Sequence, residues 1–190
     1  MSFSRTLLAG ILLSLGGYAN LVVSNKILGA ILFTFGLASI VQTKSTLLTG
    51  EMSQNRKTAL LTLILLGNLL GSWIVAFLTF EADMISFESI QNFINFRETL
   101  GPVEVLVRAI GCGIIVTSSI RSAKEDNWIV LLIGIPLFIL SGMLHCVADM
   151  FTYSLATFFG LFTIKLFIYW ILTVLGNWIG CNIPVWLSKD

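Results

Sequence analysis

The chain has 190 residues, 56% of them hydrophobic and 11% charged, and its 11 basic and 10 acidic residues leave a net charge of +1. Soluble domains carry about 25% charged residues, so a soluble chain this apolar would leave part of its core uncovered. The composition excludes a secreted disulfide scaffold, a disordered tail and an ordinary cytosolic enzyme, and the near-zero charge gives no electrostatic basis for binding nucleic acid. What remains is an integral membrane protein, and the length and continuity of its apolar runs make it all-α.

A membrane helix needs about 20 mostly apolar residues. Six runs meet that length in chain order: 6–24, 27–50, 58–80, 101–120, 128–157 and 161–187. They are continuously apolar, not alternating in short segments as a barrel requires. Because they take up most of the chain, one transmembrane domain over residues 1–190 is expected. The first run follows Arg5 but ends Gly16-Gly17-Tyr18-Ala19-Asn20 without a small-x-small cleavage site, so it reads as a retained helix.

With both termini cytoplasmic, the inner segments hold Arg5, Arg56, Lys57, Arg121, Lys124 and Lys189, and the outer ones only Lys26 and Arg97. Positive residues favour the inner side, so N-in, C-in topology in the cytoplasmic membrane is expected. The segment 81–100 carries Glu81, Asp83, Glu88 and Glu98 and reads as a long outer loop. Cys112, Cys146 and Cys181 sit singly without CxxC spacing and read as small apolar residues at helix contacts.

Two stretches repeat. Leu66-Gly67-Asn68-Leu69-Leu70-Gly71 in the third run and Leu175-Gly176-Asn177-Trp178-Ile179-Gly180 in the sixth both read L-G-N-x-x-G. The run ahead of each also carries a polar interruption: Gln42-Thr43-Lys44-Ser45-Thr46 in the second and His145-Cys146-Val147-Ala148-Asp149 in the fifth. Three spans per half is an odd number, so the second copy enters the membrane upside down. The expected architecture is an inverted 3+3 repeat, about 6–80 and 101–187, with broken spans two and five. A broken helix frees backbone groups that lipid cannot satisfy, so it belongs inside protein or against an aqueous path.

His145, the only histidine, lies within an apolar run, where ionisable groups usually face a pathway. Asp149 follows one helical turn later. Lys44 either snorkels to the interface or puts a positive charge beside an anion path. Arg97 and Arg108 lie just before and within the fourth run; Phe33, Leu47 and Phe138 read on their own as core. No further histidine or spaced cysteine set completes a metal site, and no catalytic or nucleotide-binding motif occurs, so neither enzyme activity nor a cofactor is expected.

From about residue 6 to the C-terminus the chain resembles the formate/nitrite transporter family. The residues that carry the resemblance are Ser141-Gly142-Met143-Leu144-His145-Cys146-Val147-Ala148-Asp149-Met150-Phe151, similar to the family's G-x-x-H-x-x-A-N-M-F signature. Gly29 to Leu37, continuing to Leu47-Leu48-Thr49-Gly50, is similar to its second helix and L-F-T-G loop, and both Gly-Asn pairs fall where the family has them. The resemblance implies an aquaporin-like protomer in a homopentamer, each protomer with its own pore. It implies His145 as the central pore histidine and Thr49 as its hydrogen-bonding partner. Leu47 with Phe138, and Phe33 nearer the other vestibule, would form two apolar constrictions. Asn68 and Asn177 would be polar groups of the repeated helices, and Arg97 would stand for a vestibule lysine. The chain departs from the family at Asp149 (an asparagine there), Lys44 (a glycine), Thr46 (an acidic residue) and Gly113 (an asparagine), and it is shorter than typical members.

The expected function is therefore passage of small monovalent anions of weak acids, such as formate, nitrite or hydrosulfide, with proton coupling as a further expectation. A bare anion faces a large desolvation cost at an apolar constriction. Arg97 and Lys44 would concentrate the anion and favour its protonation, and His145 would serve as hydrogen-bond partner or proton relay. The alternatives are an aquaporin-like neutral-solute channel, which the missing Asn-Pro-Ala motifs oppose, and a non-transporting assembly partner.

Overall fold

The computed structural model describes residues 2–54 and 57–188, so Arg56 and Lys189 of the charge asymmetry lie outside the described residues. Among these residues the fold is all-helical: α1 (Phe3–Val22), α2 (Lys26–Gln42), α3 (Leu48–Met52), α4 (Thr58–Glu81), α5 (Phe87–Thr99), α6 (Pro102–Lys124), α7 (Ile129–Leu140), α8 (Cys146–Phe158) and α9 (Ile164–Leu187). By length and composition α1, α4, α6 and α9 suffice to cross a membrane, while α2 and α7 are shorter apolar helices. Side chains fix several starts. Asn25 accepts hydrogen bonds from the Ile27 and Leu28 N–H groups, and Thr163 accepts one from Leu166, satisfying donors that a helix start leaves orphaned. Pro102 opens α6, where its missing N–H costs nothing.

The expected outer loop is largely helical, and this corrects the reading of 81–100. Ser86 caps α5 through the Ser89 N–H. Ile90, Ile94 and Arg97 recur at helical spacing and are buried on one face. The segment's overall polarity hides this stripe, and its consequence is to carry Arg97 inward.

The two breaks are built alike. After α2, the N–H groups of Thr43, Lys44 and Ser45 bond to Ser39, Val41 and Ile40 carbonyls at 2.9, 3.2 and 3.0 Å. After α7, those of Ser141, Gly142 and Met143 bond to Leu137, Ile139 and Phe138 at 3.0, 3.1 and 3.1 Å. Both turns need one residue with positive φ: Lys44 at 53° and Gly142 at 65°. Glycine takes that conformation without the Cβ clash that a lysine suffers. The second break therefore covers 141–145, ahead of the expected 145–149, because His145 caps α8 and Cys146–Asp149 form its first turn.

Each break is held by an asparagine of the repeated motif. Asn68 accepts from the Leu48 N–H at 2.9 Å and donates to the carbonyls of Thr46 at 3.0 Å and Thr6 at 2.8 Å. Asn177 accepts from the Cys146 N–H at 2.8 Å and donates to Leu144 at 2.9 Å and Ala109 at 2.8 Å. The motif's glycines let the partner helices approach closely enough for these bonds. Gly71 lies against Leu7, Gly10 and Ile11 of α1, and Gly180 against Ile110 and Gly113 of α6. A Cβ on Gly113 would stand 2.6 Å from the Asn177 carbonyl oxygen, a contact side chains do not make. The largest buried cluster, including Phe33, Leu37, Leu47, Ile135 and Phe138, packs around the two breaks.

Candidate pore site

His145 and Thr49 meet at the breaks, the first capping α8 and the second in α3. The His145 Nδ1 accepts from the N–H groups of Val147 and Ala148 at 3.2 and 3.1 Å. Two donors aimed at Nδ1 make it the acceptor nitrogen, so the ring proton of the neutral imidazole sits on Nε2. Nε2–H then donates to Thr49 Oγ1, 3.1 Å away. Both residues are buried, at 1% and 0% exposure. The α8 donors are all engaged: Cys146 by Asn177, Val147 and Ala148 by His145 Nδ1, and Asp149 by the His145 carbonyl. That end of α8 offers a dipole field, and no free N–H, to an anion.

A cavity of about 490 Å³ lies on one side of this pair, lined by His145, Phe33, Phe138, Arg97 and Asp149 among others. A cavity of about 650 Å³ is lined by Leu47, Thr46, Lys44, Arg5 and Lys124 among others. The apolar residues group differently from the expectation. Phe33 and Phe138 are in edge contact, ring centroids 5.7 Å apart, with Phe138 6.0 Å from the His145 ring. Leu47 lines the other cavity, so the apolar pair beside His145 is Phe33 with Phe138. The chain order of the breaks explains this: Leu47 caps α3 at the position His145 holds at α8.

Lys44 is exposed on the larger cavity. Arg97 is not a free vestibule cation. Its Nη2 bonds to Asp149 Oδ1 at 2.8 Å, both side chains are buried, and the guanidinium lies 4.5 Å from the Phe93 ring. Asn68 and Asn177 are fully buried, line neither cavity, and spend their amides on backbone. They hold the breaks. Arg108 also serves a break: Glu104 holds its guanidinium at 2.7 and 2.9 Å, and Nη1 donates to the Gly142 carbonyl at 3.0 Å. Sequence reasoning missed Phe93 and Phe96 beside Arg97; the helical spacing of α5 was the signal. Among the described residues, no three His, Cys, Asp or Glu side chains group as a metal site would need.

Residues 1–188 match the family described as formate/nitrite transporter. The chain belongs to the formate/nitrite transporter family. No curated protein matches the chain. Among solved structures it is similar to a pentameric formate channel with formate bound, at TM-score 0.85 and 20% identity over 97% of this chain and 93% of that one. A second, described as an FNT family ion channel, has TM-score 0.85 and 17% identity over 99% and 90%. At these identities the likeness establishes the fold. Membership, with the apolar helices, makes this a multi-pass membrane protein of a transporter family.

Proposed function

We propose that this protein passes small monovalent anions of weak acids, of the formate, nitrite and hydrosulfide class, across the cytoplasmic membrane, by a route running between the two cavities past His145. The observation that carries the reading is the buried His145–Thr49 hydrogen bond, bounded by one cavity lined by Arg97 and another lined by Lys44. Ionisable groups at such depth are costly and mark pathways. A solute reaching the centre would exchange with Thr49 for the Nε2–H donor, after crossing the Phe33–Phe138 contact in its least charged form. The anion's charge is the main obstacle there, so coupling to a proton is part of the proposal. Lys44 with Arg5 and Lys124 outnumber Glu51 and Asp126 around the cavity on the Leu47 side and would attract anions there.

The architecture proposed is one transmembrane domain over 1–190 of six spans, with α2–α3 and α7–α8 each forming a broken span. The matched turns, the matched asparagine bonds and the matched glycine contacts of α1–α4 and α6–α9 support an inverted 3+3 repeat with N-in, C-in topology. A homopentamer is proposed from the family and from the pentameric relative. None of these roles is enzymatic.

The test is uptake of formate, nitrite and hydrosulfide into proteoliposomes between pH 5 and 8, for wild type and for His145→Asn. Asparagine caps helices well but is too short to reach Thr49, so assembly is expected to persist. Flux is expected to fall at least ~10-fold, the loss of one buried hydrogen bond to the moving solute. Wild-type flux of water or neutral solutes without any of these anions would refute the reading. Unchanged anion flux and pH profile in His145→Asn would remove the histidine from it.

A further inference from the structure

The Arg97–Asp149 pair is bonded out of register. Arg97 uses Nη2 on Asp149 Oδ1 at 2.8 Å, yet Nε–H lies on the same edge of the guanidinium, and that edge normally takes both oxygens of a carboxylate. Nε is buried without a hydrogen bond, and so is Asp149 Oδ2. Anchorage accounts for the mismatch. Arg97 is fixed in the last turn of α5 and against the Phe93 ring, and Asp149 is fixed in the first turn of α8 by its own N–H bond to the His145 carbonyl. Buried polar atoms are paired in nearly all structures, and each unpaired one costs about 1–3 kcal/mol. Two such atoms on a single ion pair, in side chains 8% and 6% exposed and lining the cavity that holds His145, form one idle donor and one idle acceptor. The covalent frames of the two groups tether both atoms to the same Nη2–Oδ1 bond. The pair as a whole is neutral, so it does not draw a bare anion, and Asp149 repels one.

We propose that the Arg97–Asp149 pair is a binding subsite for the undissociated acid and selects acids with an acceptor oxygen and an O–H on the same central atom. Such an acid accepts from Arg97 Nε–H through its doubly bonded oxygen and donates its O–H to Asp149 Oδ2. Formic and nitrous acids have this pattern; hydrogen sulfide, whose single heavy atom carries both functions, does not bridge the two atoms. The subsite rests on the transport reading above and names its substrate preference. It lies one helical turn from His145, so a solute released from it is already beside the Phe33–Phe138 contact.

The experiment compares initial fluxes of formate, nitrite and hydrosulfide in proteoliposomes, at equal concentrations of undissociated acid, for wild type, Asp149→Asn and Arg97→Lys. Asparagine bonded to Arg97 through its oxygen presents an N–H where Oδ2 was, so the acid's O–H loses its acceptor. Lysine keeps the charge opposite Asp149 but removes the Nε–H donor. Wild type is expected to favour formate and nitrite over hydrosulfide by ~10-fold or more, the discrimination of one hydrogen bond to a charged group. Both variants are expected to lose most of that preference while eluting as the same oligomer in detergent. If Asp149→Asn fails to assemble, Arg97→Lys carries the test alone, since its ion pair persists. Equal wild-type fluxes for all three, or an undiminished preference in an assembled variant, overturns the subsite while leaving transport intact. A wild-type protein that carries none of the three overturns the transport reading and the subsite with it.

Discussion

Replacing Asn177 by leucine separates a staple of the breaks from a pore-lining amide. Leucine is close to asparagine in size, so the packing of α9 against α6 survives, and the loss is one of hydrogen bonds. Asn177 serves the Cys146 N–H and the carbonyls of Leu144 and Ala109. The Ala109 carbonyl also belongs to the interior of α6, so its helical bond remains. The Cys146 N–H and the Leu144 carbonyl are left buried and unpaired. At about 1–3 kcal/mol for each orphaned group, the expected destabilisation is about 2–6 kcal/mol. That is a large share of the stability of a protein this size.

The assay is denaturant or thermal unfolding of the detergent-solubilised oligomer followed by tryptophan fluorescence, alongside formate flux of whatever protein assembles. Asn68→Leu strands the Leu48 N–H and the Thr46 carbonyl in the same way, and its loss is expected within about 1 kcal/mol of that for Asn177→Leu, the scatter usual for single hydrogen bonds. A variant of normal stability whose flux or selectivity is altered would refute the reasoning, because it would put the amide on the path and not on the backbone of the break.

Other perturbations test the remaining pieces. Lys44→Gly is expected to raise stability by roughly 1 kcal/mol, because Lys44 holds φ 53° at the position where the second break has Gly142; a shift in the unfolding midpoint checks it, and the larger cavity loses one positive charge. Gly113→Val is expected to prevent assembly, since even its Cβ would meet the Asn177 carbonyl oxygen at 2.6 Å; size-exclusion chromatography reads the outcome. Arg108→Ala frees the Gly142 carbonyl of its side-chain donor at 3.0 Å and is expected to cost about 1–3 kcal/mol, measured by the same unfolding assay.

The long apolar runs and the doubled L-G-N-x-x-G motif were legible because both are local: a span announces itself within about 20 residues, and a repeat needs only a comparison of the chain with itself. His145 and Thr49 were legible as partners only through the family resemblance, since 96 residues separate them. The helix α5 was hidden by its polar composition, although Ser86 and the Ile90, Ile94 and Arg97 spacing mark it. The asparagines show why motif and role differ. A repeated Gly-Asn says that an amide is needed next to a close helix approach, but a sequence does not say whether that amide turns toward a path or toward a broken backbone. The Arg97–Asp149 bond lay beyond reach for a related reason: it joins α5 to α8 across 52 residues, and each partner alone read as a free charge.

Pairing also bears on how a solute moves. Along the proposed route His145 Nε2 is engaged by Thr49, Arg97 Nη2 by Asp149, and the α8 donors by His145 and Asn177. A solute therefore advances by exchanging one bond for another. Exchange of comparable bonds gives little net binding, because each bond gained offsets one given up, and a pore that bound its solute tightly would release it slowly. The exceptions are the idle Arg97 Nε and Asp149 Oδ2, which give up no protein bond to receive a bridging solute. The route's deepest free-energy well should consequently lie there, before the Phe33–Phe138 contact, and saturation of flux should report affinity for that pair and not for His145. Half-saturation that shifts in Arg97→Lys while only the maximal rate falls in His145→Asn is the expected division; the reverse assignment would place the well at the histidine.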